Sequence, residues 1–265
     1  MLEQTFLHVP GIGRDTERSL WEQGCENWQT FLDNPSDFRT GSAPKASVKS
    51  ILKKSQDAVA ARNHQFFGDL LRTTDHWRTW DVFKDKCAYL DIETDGGRTG
   101  QAVTVIGIWD GEFRAYVAND NIENFRSDIT NYSMVVSFFG SGFDLPILMK
   151  MFRSVVWDHL HLDLIHPARA LGIRGGLKKI EGMYGIKRPD HILGLSGLDA
   201  VRLWREHRMG RKNALQTLLD YNQADVENLE IIAREMVTEM WDYTRHGVLC
   251  ERGKQQPLPF GSPDF

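Results

Sequence analysis

The feature that most constrains the fold of this chain is a change of apolar pattern near residue 84. Helix signals precede it, and five short apolar segments of strand type follow it, over residues 87–90, 102–109, 114–117, 134–139 and 159–163. Turn residues separate the first three segments, which predicts an antiparallel meander. The later segments are interspersed with helical patterns, over residues 145–152, 167–171, 177–184, 198–208 and 213–243. This order predicts an α/β fold in which helices flank a mixed sheet.

The chain divides into three parts on the same signals. Residues 1–82 predict a small helical N-terminal region, residues 83–245 the α/β domain, and residues 246–265, which contain three prolines, a C-terminal tail. A glycine turn at residues 9–13 precedes a predicted helix over residues 14–23 and resembles half of a helix-hairpin-helix, whose backbone N–H groups bind a DNA phosphate. Glycine turns also simply cap helices, so both interpretations of this turn remain open.

Composition and charge exclude several classes of protein. With 41% hydrophobic and 26% charged residues, the chain is neither disordered nor fibrous. No apolar run approaches the roughly 20 residues of a membrane-spanning helix, and the first residues do not resemble a signal peptide. The net charge of −4 implies that any nucleic acid is bound by local basic patches. Three widely separated cysteines argue against disulfides and zinc, so we expect a cytoplasmic protein without membrane contact.

Four acidic residues fall at informative positions of this scheme. Asp91 and Glu93 alternate at the end of the first strand, so their side chains project from the same face. Like charges this close are unfavourable unless a cation lies between them. Asp144 begins a helix after a glycine-bearing turn, and Asp225 follows Tyr221 by one helical turn. Each feature alone also fits a solvated strand end, a helix cap or a polar pair on an amphipathic helix.

Together the four acids predict a metal site. They come from the first strand, a helix start and a late helix, which can converge at one edge of the sheet. Mg²⁺ and Mn²⁺ are hard cations that prefer carboxylate and water oxygens. Two such ions roughly 3.5–4 Å apart can hold a phosphodiester, one activating a water and the other stabilising the departing oxygen. A tyrosine hydroxyl one turn from a ligand could then orient that water.

In chain order, residues 91–94, 139–146 and 221–225 resemble the three motifs of the DEDD (DnaQ-like) 3′–5′ exonucleases, which have the ribonuclease-H-like fold. Tyr221, four positions before the last aspartate, resembles the tyrosine-bearing DEDDy subgroup, because Asp220 stands where the other subgroup has histidine. Residues 161–164, 177–181 and 194–197 resemble the YprB-like branch of this family. The resemblance covers about residues 85–240 and implies a ribonuclease-H-like mixed sheet flanked by helices.

The resemblance also implies a role for each motif residue and two Mg²⁺ or Mn²⁺ ions as cofactors. Asp91 would bridge both ions. Glu93 and Asp225 would complete the site that holds the nucleophilic water, and Asp144 would hold the second ion. Tyr221 would position the water.

Further residues are expected near the substrate. Lys178 and Lys179 begin a predicted helix and could bind phosphates, although a solvated helix face is the alternative. Phe143 could stack on a terminal base or belong to the core. We also expect Thr94, at the end of the first motif, to contact nucleic acid. Asp163, at the end of its strand, would lie beside the metal site or cap the following helix.

The leading hypothesis is a metal-dependent 3′–5′ exonuclease that hydrolyses phosphodiester bonds at single-stranded ends, of DNA in preference to RNA, by a two-metal mechanism. The polarity is implied by the resemblance. One alternative is a catalytically inactive nucleic-acid-binding or scaffold protein, and another is a processing nuclease for a structured RNA. Clustered negative charge beside phosphates would not help a protein that only binds, which counts against the first alternative.

Overall fold

A five-stranded mixed sheet with strand order β3-β2-β1-β4-β5 forms the centre of the computed structural model, which describes residues 1–97, 102–250 and 252. The strands are β1 (Cys87–Thr94), β2 (Val103–Trp109), β3 (Phe113–Val117), β4 (Met134–Ser137) and β5 (Leu160–Asp163). β1, β2 and β3 form the predicted antiparallel meander, and β4 and β5 run parallel to β1. The predicted α/β class with a mixed sheet is confirmed. The predicted turn between β1 and β2 falls partly on residues 98–101, outside the described residues.

Helices flank this sheet. In the N-terminal part they are α1 (Arg14–Glu22), α2 (Trp28–Asp33), α3 (Lys45–Ala60), α4 (His64–Leu70) and α5 (Trp80–Phe83). Between and after the strands they are α6 (Phe125–Asp128), α7 (Asp144–Met151), α8 (Ile165–Ala170), α9 (Leu177–Met183), α10 (Gly197–Arg208) and α11 (Ala214–His246). Across the described ranges, none of the helices has the length and apolarity needed to cross a membrane.

Two elements end shortly before a residue with left-handed backbone. The predicted strand 134–139 stops at Ser137, because Phe139 has a φ of 65°, which no strand residue adopts. The helical pattern over residues 47–71, which predicts one or two helices, corresponds to two, since Arg62 has a φ of 56° and the Asn63 side chain caps α4 by accepting the Phe66 N–H.

The glycine turn before α1 has type II geometry. Pro10 takes the second position, Gly11 takes the third with a φ of 88°, and the Ile12 N–H donates to the Val9 carbonyl at 3.0 Å. Gly11 packs on Ala43, to which an added Cβ would lie only 3.2 Å away. A short 3₁₀ helix (Leu2–Gln4) precedes the turn where a full hairpin unit would have an α-helix. DNA binding by this turn stays a prediction.

The N-terminal helices and one face of the sheet share a single hydrophobic cluster. Trp28, Phe67 and Phe83 from the first part of the chain belong to the same cluster as Tyr89 of β1 and Leu162 of β5. The opposite face of β1 belongs to a second cluster together with residues of α6 and α7. The predicted parts 1–82 and 83–245 therefore have a common core, and the boundary between them stays a prediction.

Candidate metal centre

Strand alternation places two acids of β1 under helix α11. Leu90 and Ile92 point into the second hydrophobic cluster, so Asp91 and Glu93 point to the other face, which α11 crosses. There, one carboxylate oxygen each of Asp91, Glu93 and Asp225 lie within 4.8 Å of one another. Glu93 and Asp225 are buried and Asp91 is half-buried. Three of the four acids predicted as metal ligands thus converge.

A bound cation would relieve the repulsion among the carboxylates of this cluster. Burial raises the pKa of Asp91 and of Glu93 well above the usual range, and the charges of Asp225 and Asp144 raise both further. Burial also raises the pKa of Asp225. A donor set made of carboxylate oxygens alone fits Mg²⁺ or Mn²⁺, which would neutralise the repulsion.

Asp144 lies beside these three acids and is held by the backbone of β1. The pairing of β1 with β4 extends only to Tyr89, so the N–H of Ile92 has no partner on β4 and donates instead to Asp144 Oδ1 at 3.0 Å. Asp144 is buried at the first position of α7. Burial raises its pKa to about 7, although the Ile92 hydrogen bond opposes this shift. Asp144 is therefore close to β1 but outside the group of three.

Tyr221 and Lys178 form a pair next to the acids. Lys178 Nζ donates to the Tyr221 hydroxyl at 2.7 Å, lies 4.6 Å from the centroid of its ring, and also bonds to the carbonyl of Leu195. Burial, and then the charge of Asp225, raise the pKa of Tyr221, so the phenol stays protonated at neutral pH. Lys179 is exposed, and its chain packs against Gly175, where an added Cβ would lie 2.7 Å from Lys179 Cδ. Lys178, which is exposed as well, thus contacts Tyr221 of the site, and binding of nucleic acid by either lysine stays a prediction.

A buried arginine, which the sequence patterns did not single out, pairs with the metal-site acid Asp225 and with Glu181. Arg188 donates to Asp225 Oδ1 and, through Nε and Nη2, to the two oxygens of Glu181 at 2.8 and 2.5 Å. Asn228 donates to Glu181 at 3.0 Å. Burial opposes the charge of Arg188, but the bonds to Glu181 and Asp225 outweigh it and raise its pKa. Arg188 lies in a segment without helical or strand periodicity, so no local signal marks it.

Asn222 is a second residue that the patterns missed. It is fully buried, and its Nδ2 donates to Asp91 Oδ2 at 3.0 Å. Its amide occupies the space above Gly107 of β2, where an added Cβ would lie 1.9 Å from Asn222 Oδ1. A glycine inside a strand often marks such a close approach, and this signal could have indicated the contact.

Asp163 fixes the loop that leads to Asp144. It accepts hydrogen bonds from the N–H groups of Phe139 at 2.7 Å and Ser141 at 3.0 Å, and from the Ser141 hydroxyl at 2.5 Å. It also accepts from the N–H of Ile165 at the start of α8, at 3.2 Å. The N-cap residue of α8 is Leu164, without a side-chain cap, so Asp163 closes a local turn at the start of this helix and also supports the loop beside the acids. Its predicted role beside the metal site stays a prediction.

The remaining two predicted contacts lie close to the acids in sequence. Thr94 is buried at the end of β1, after a register shift between Glu93 and Thr94. Phe143 precedes Asp144 and is half-buried against the second hydrophobic cluster. Contact of either residue with nucleic acid stays a prediction.

One family model and one solved structure match parts of the chain. A model of the RNase_H superfamily, RNase_H_2, matches residues 88–237, more than half of the chain and a range that includes all four acids and Tyr221. A family B DNA polymerase from the hyperthermophilic archaeon Pyrobaculum calidifontis is similar in structure, with a TM-score of 0.45 and 15% sequence identity, and the match covers 57% of this chain and 24% of the polymerase. No curated protein is significantly similar to the chain in sequence. The extent of the family match shows that the chain belongs to the RNase H superfamily.

Proposed function

We propose that this protein is a metal-dependent 3′–5′ exonuclease that hydrolyses phosphodiester bonds at the ends of single-stranded DNA. Membership of the RNase H superfamily supports a nuclease. The observation that carries the proposal is the group of three acids, Asp91, Glu93 and Asp225, with oxygens within 4.8 Å of one another. Such a cluster is unfavourable in a protein that only binds polyanions, because it repels phosphates unless cations are present.

The four acids would bind two divalent ions, Mg²⁺ or Mn²⁺. Asp91, Glu93 and Asp225 would hold one ion, and Asp144 together with Asp91 would hold the other. When bound, the ions would activate a water molecule and neutralise the charge on the departing oxygen.

Side chains beside the acids would orient the attacking water and bind the substrate phosphate. Because Lys178 donates to the Tyr221 oxygen, the phenol keeps its own proton for a hydrogen bond to the attacking water, which it would orient. Its raised pKa makes it a donor and not a base. The Lys178 ammonium adds positive charge beside the acids, where a phosphate would lie. Arg188 holds the Asp225 carboxylate in place through a direct bond.

The test is a cleavage assay on 5′-labelled single-stranded and duplex DNA and RNA with Mg²⁺ or Mn²⁺. The wild type should produce a ladder that shortens from the 3′ end of single-stranded DNA. Asp225→Asn removes the charge of a metal ligand and should lower the rate by at least about 10³-fold. Asp242→Asn is the matched control, because Asp242 is exposed and lies about 26 Å further along α11.

Three outcomes would contradict the proposal in separate ways. Shortening from the 5′ end would refute the polarity, and activity of the Asp225→Asn protein would refute the metal site. Cleavage confined to a structured RNA would favour a processing nuclease with the same site.

A further inference from the structure

The loop between β4 and α7 contains an exposed aromatic residue in an unusual conformation. Phe139 is 48% exposed, and it is the exposed member among the phenylalanines that the structure describes. Its φ of 65° lies in the left-handed region, which bulky side chains rarely adopt. Strain of this kind persists only where the surroundings enforce it, and it is concentrated at functional sites.

Asp163 enforces this conformation. Its Oδ1 accepts the Phe139 N–H at 2.7 Å, and its Oδ2 accepts both the N–H and the hydroxyl of Ser141. The Phe139 carbonyl in turn accepts the Gly142 N–H at 3.0 Å. Glycine, and next to it asparagine, adopts the left-handed region at the lowest cost, so phenylalanine is an uncommon residue at this position. This loop has glycine at positions 140 and 142, whereas its left-handed position, 139, is phenylalanine.

The ring of Phe139 rests on the backbone of the same loop and leaves its other surface open. An added Cβ at Gly142 would lie 2.6 Å from Phe139 Cζ, so the tip of the ring covers that glycine. The other two phenylalanines of the segment pack inward, Phe138 against the first hydrophobic cluster and Phe143 against the second. Phe139 thus adds little to the core, although its position is fixed.

We infer that Phe139 is the stacking platform for the base at the end of a single strand bound at the metal centre, an inference that rests on the proposed function. Gly142, which the ring covers, is two residues from Asp144, and the Asp144 carboxylate is bonded to β1 between Asp91 and Glu93. The ring is therefore mounted on the loop that also supplies a metal-site acid. Stacking on an aromatic face tolerates every base, which suits an enzyme that removes successive nucleotides. A base within a duplex is already stacked and paired, so this platform favours unpaired ends.

The test measures binding of a 5′-fluorescein-labelled 12-nucleotide oligothymidylate and of the same strand with an abasic 3′-terminal residue. Binding is followed by fluorescence anisotropy with Ca²⁺ in place of Mg²⁺, and a gel checks that each strand remains intact. The wild type should bind the abasic strand roughly five- to 100-fold more weakly. Phe139→Asn, which suits the left-handed backbone but lacks the ring, should bind both strands with the weaker affinity. Phe139→Trp should keep the preference for the complete strand.

Tyr243→Ala is the matched control, because Tyr243 is also an exposed aromatic residue and lies about 27 Å from Asp225 along α11. This control should keep the wild-type preference. If Phe139→Asn, folded by circular dichroism, keeps it as well, or if Phe143→Leu abolishes it instead, the inference is wrong.

The cleavage assay separates this inference from the proposed function. A wild type that cleaves nothing but prefers the complete strand through Phe139 would refute the exonuclease and leave the base-binding site. A wild type that cleaves, with a base preference that is independent of Phe139, would refute the platform alone. A wild type without affinity for either strand would refute both.

Discussion

Arg188 is a cation that the chain itself supplies to the carboxylate site. Its side chain is 5% exposed and pairs with Asp225 and Glu181, which are as deeply buried. Buried acids without a partner are strongly destabilising, so this guanidinium compensates for charge that the metal ions would otherwise have to neutralise alone.

We predict that Arg188→Gln destabilises the metal-free protein by about 3–5 kcal/mol, because the change leaves two buried carboxylates unpaired. Mn²⁺ should raise the melting temperature of this variant more than that of the wild type, since the ion replaces the lost charge at Asp225. Thermal unfolding in EDTA and in Mn²⁺ measures both effects. Arg234→Gln, at an exposed position of α11, should change stability by less than about 1 kcal/mol. Wild-type stability of the Arg188 variant in EDTA would contradict the prediction.

The proximity of Asp91 to Glu93, and that of Tyr221 to Asp225, was predictable because each follows from a local rule. Alternation in a strand puts Asp91 beside Glu93, and four-residue spacing in a helix puts Tyr221 beside Asp225. No local rule of this kind predicts the contact between Arg188 and Glu181. They occur where a tertiary contact needs charge compensation, which only the assembled site reveals.

At the scale of the elements, α11 contacts β2 at Gly107. Gly107 of β2 allows the Asn222 amide to lie directly on the strand and to reach Asp91. The approach of the long helix to the sheet, and through it the position of Asp225, depends on the missing side chain.

We predict that Gly107→Ala lowers the free energy of unfolding by about 1–3 kcal/mol, because the methyl group overlaps Asn222 and forces the helix or the amide to move. Nuclease activity should fall as well, since Asp91 loses its hydrogen bond. Adding Asn222→Ala should recover part of the stability but not the activity. Gly182→Ala in α9, where an added Cβ meets no atom within 4 Å, is the control and should not destabilise the protein. Urea unfolding measures the stability of each variant, and the cleavage assay measures its activity. If the stability losses of Gly107→Ala and Asn222→Ala simply add in the double variant, the prediction is wrong.

The types of the elements and the antiparallel pairing of β1, β2 and β3 followed from the sequence, but several ends and the parallel pairing of β1, β4 and β5 did not. The Asn63 cap is a sequence signal for the start of α4, whereas no sequence signal marks the left-handed backbone of Phe139. The parallel pairing of β1 with β4 joins residues far apart in the chain and depends on the packing of helices between them.

Over the whole molecule, the common core links the N-terminal helices to the sheet that carries the site. His8 lies in this core, with its ring centroid 5.2 Å from that of Trp28 and its Nε2 2.9 Å from the Ser55 hydroxyl. Burial, and then the charge of Arg78, lower the pKa of His8 to about 3.

We predict that this histidine makes stability fall in mild acid. The unfolded chain binds a proton at His8 below about pH 6.5, whereas the folded protein does not until about pH 3. The contribution is therefore fully present above pH 6.5 and is lost as the pH falls towards 3, by about 1.4 kcal/mol per pH unit. Urea unfolding at pH 7.5 and 5.5 should show a smaller pH effect for His8→Gln than for the wild type. His246→Gln, an exposed control, should keep the wild-type pH effect, and an unchanged effect in His8→Gln would contradict the prediction.

The Ile92 N–H donates to Asp144, so this backbone amide can report on the binding of metal ions. Its acceptor is a carboxylate whose charge changes with ion capture, whereas ordinary strand amides face a neutral carbonyl. The ¹⁵N–¹H resonance of Ile92 would therefore move when an ion enters, even in a variant that cannot turn over substrate. Occupancy of the centre could then be followed by NMR at a single signal.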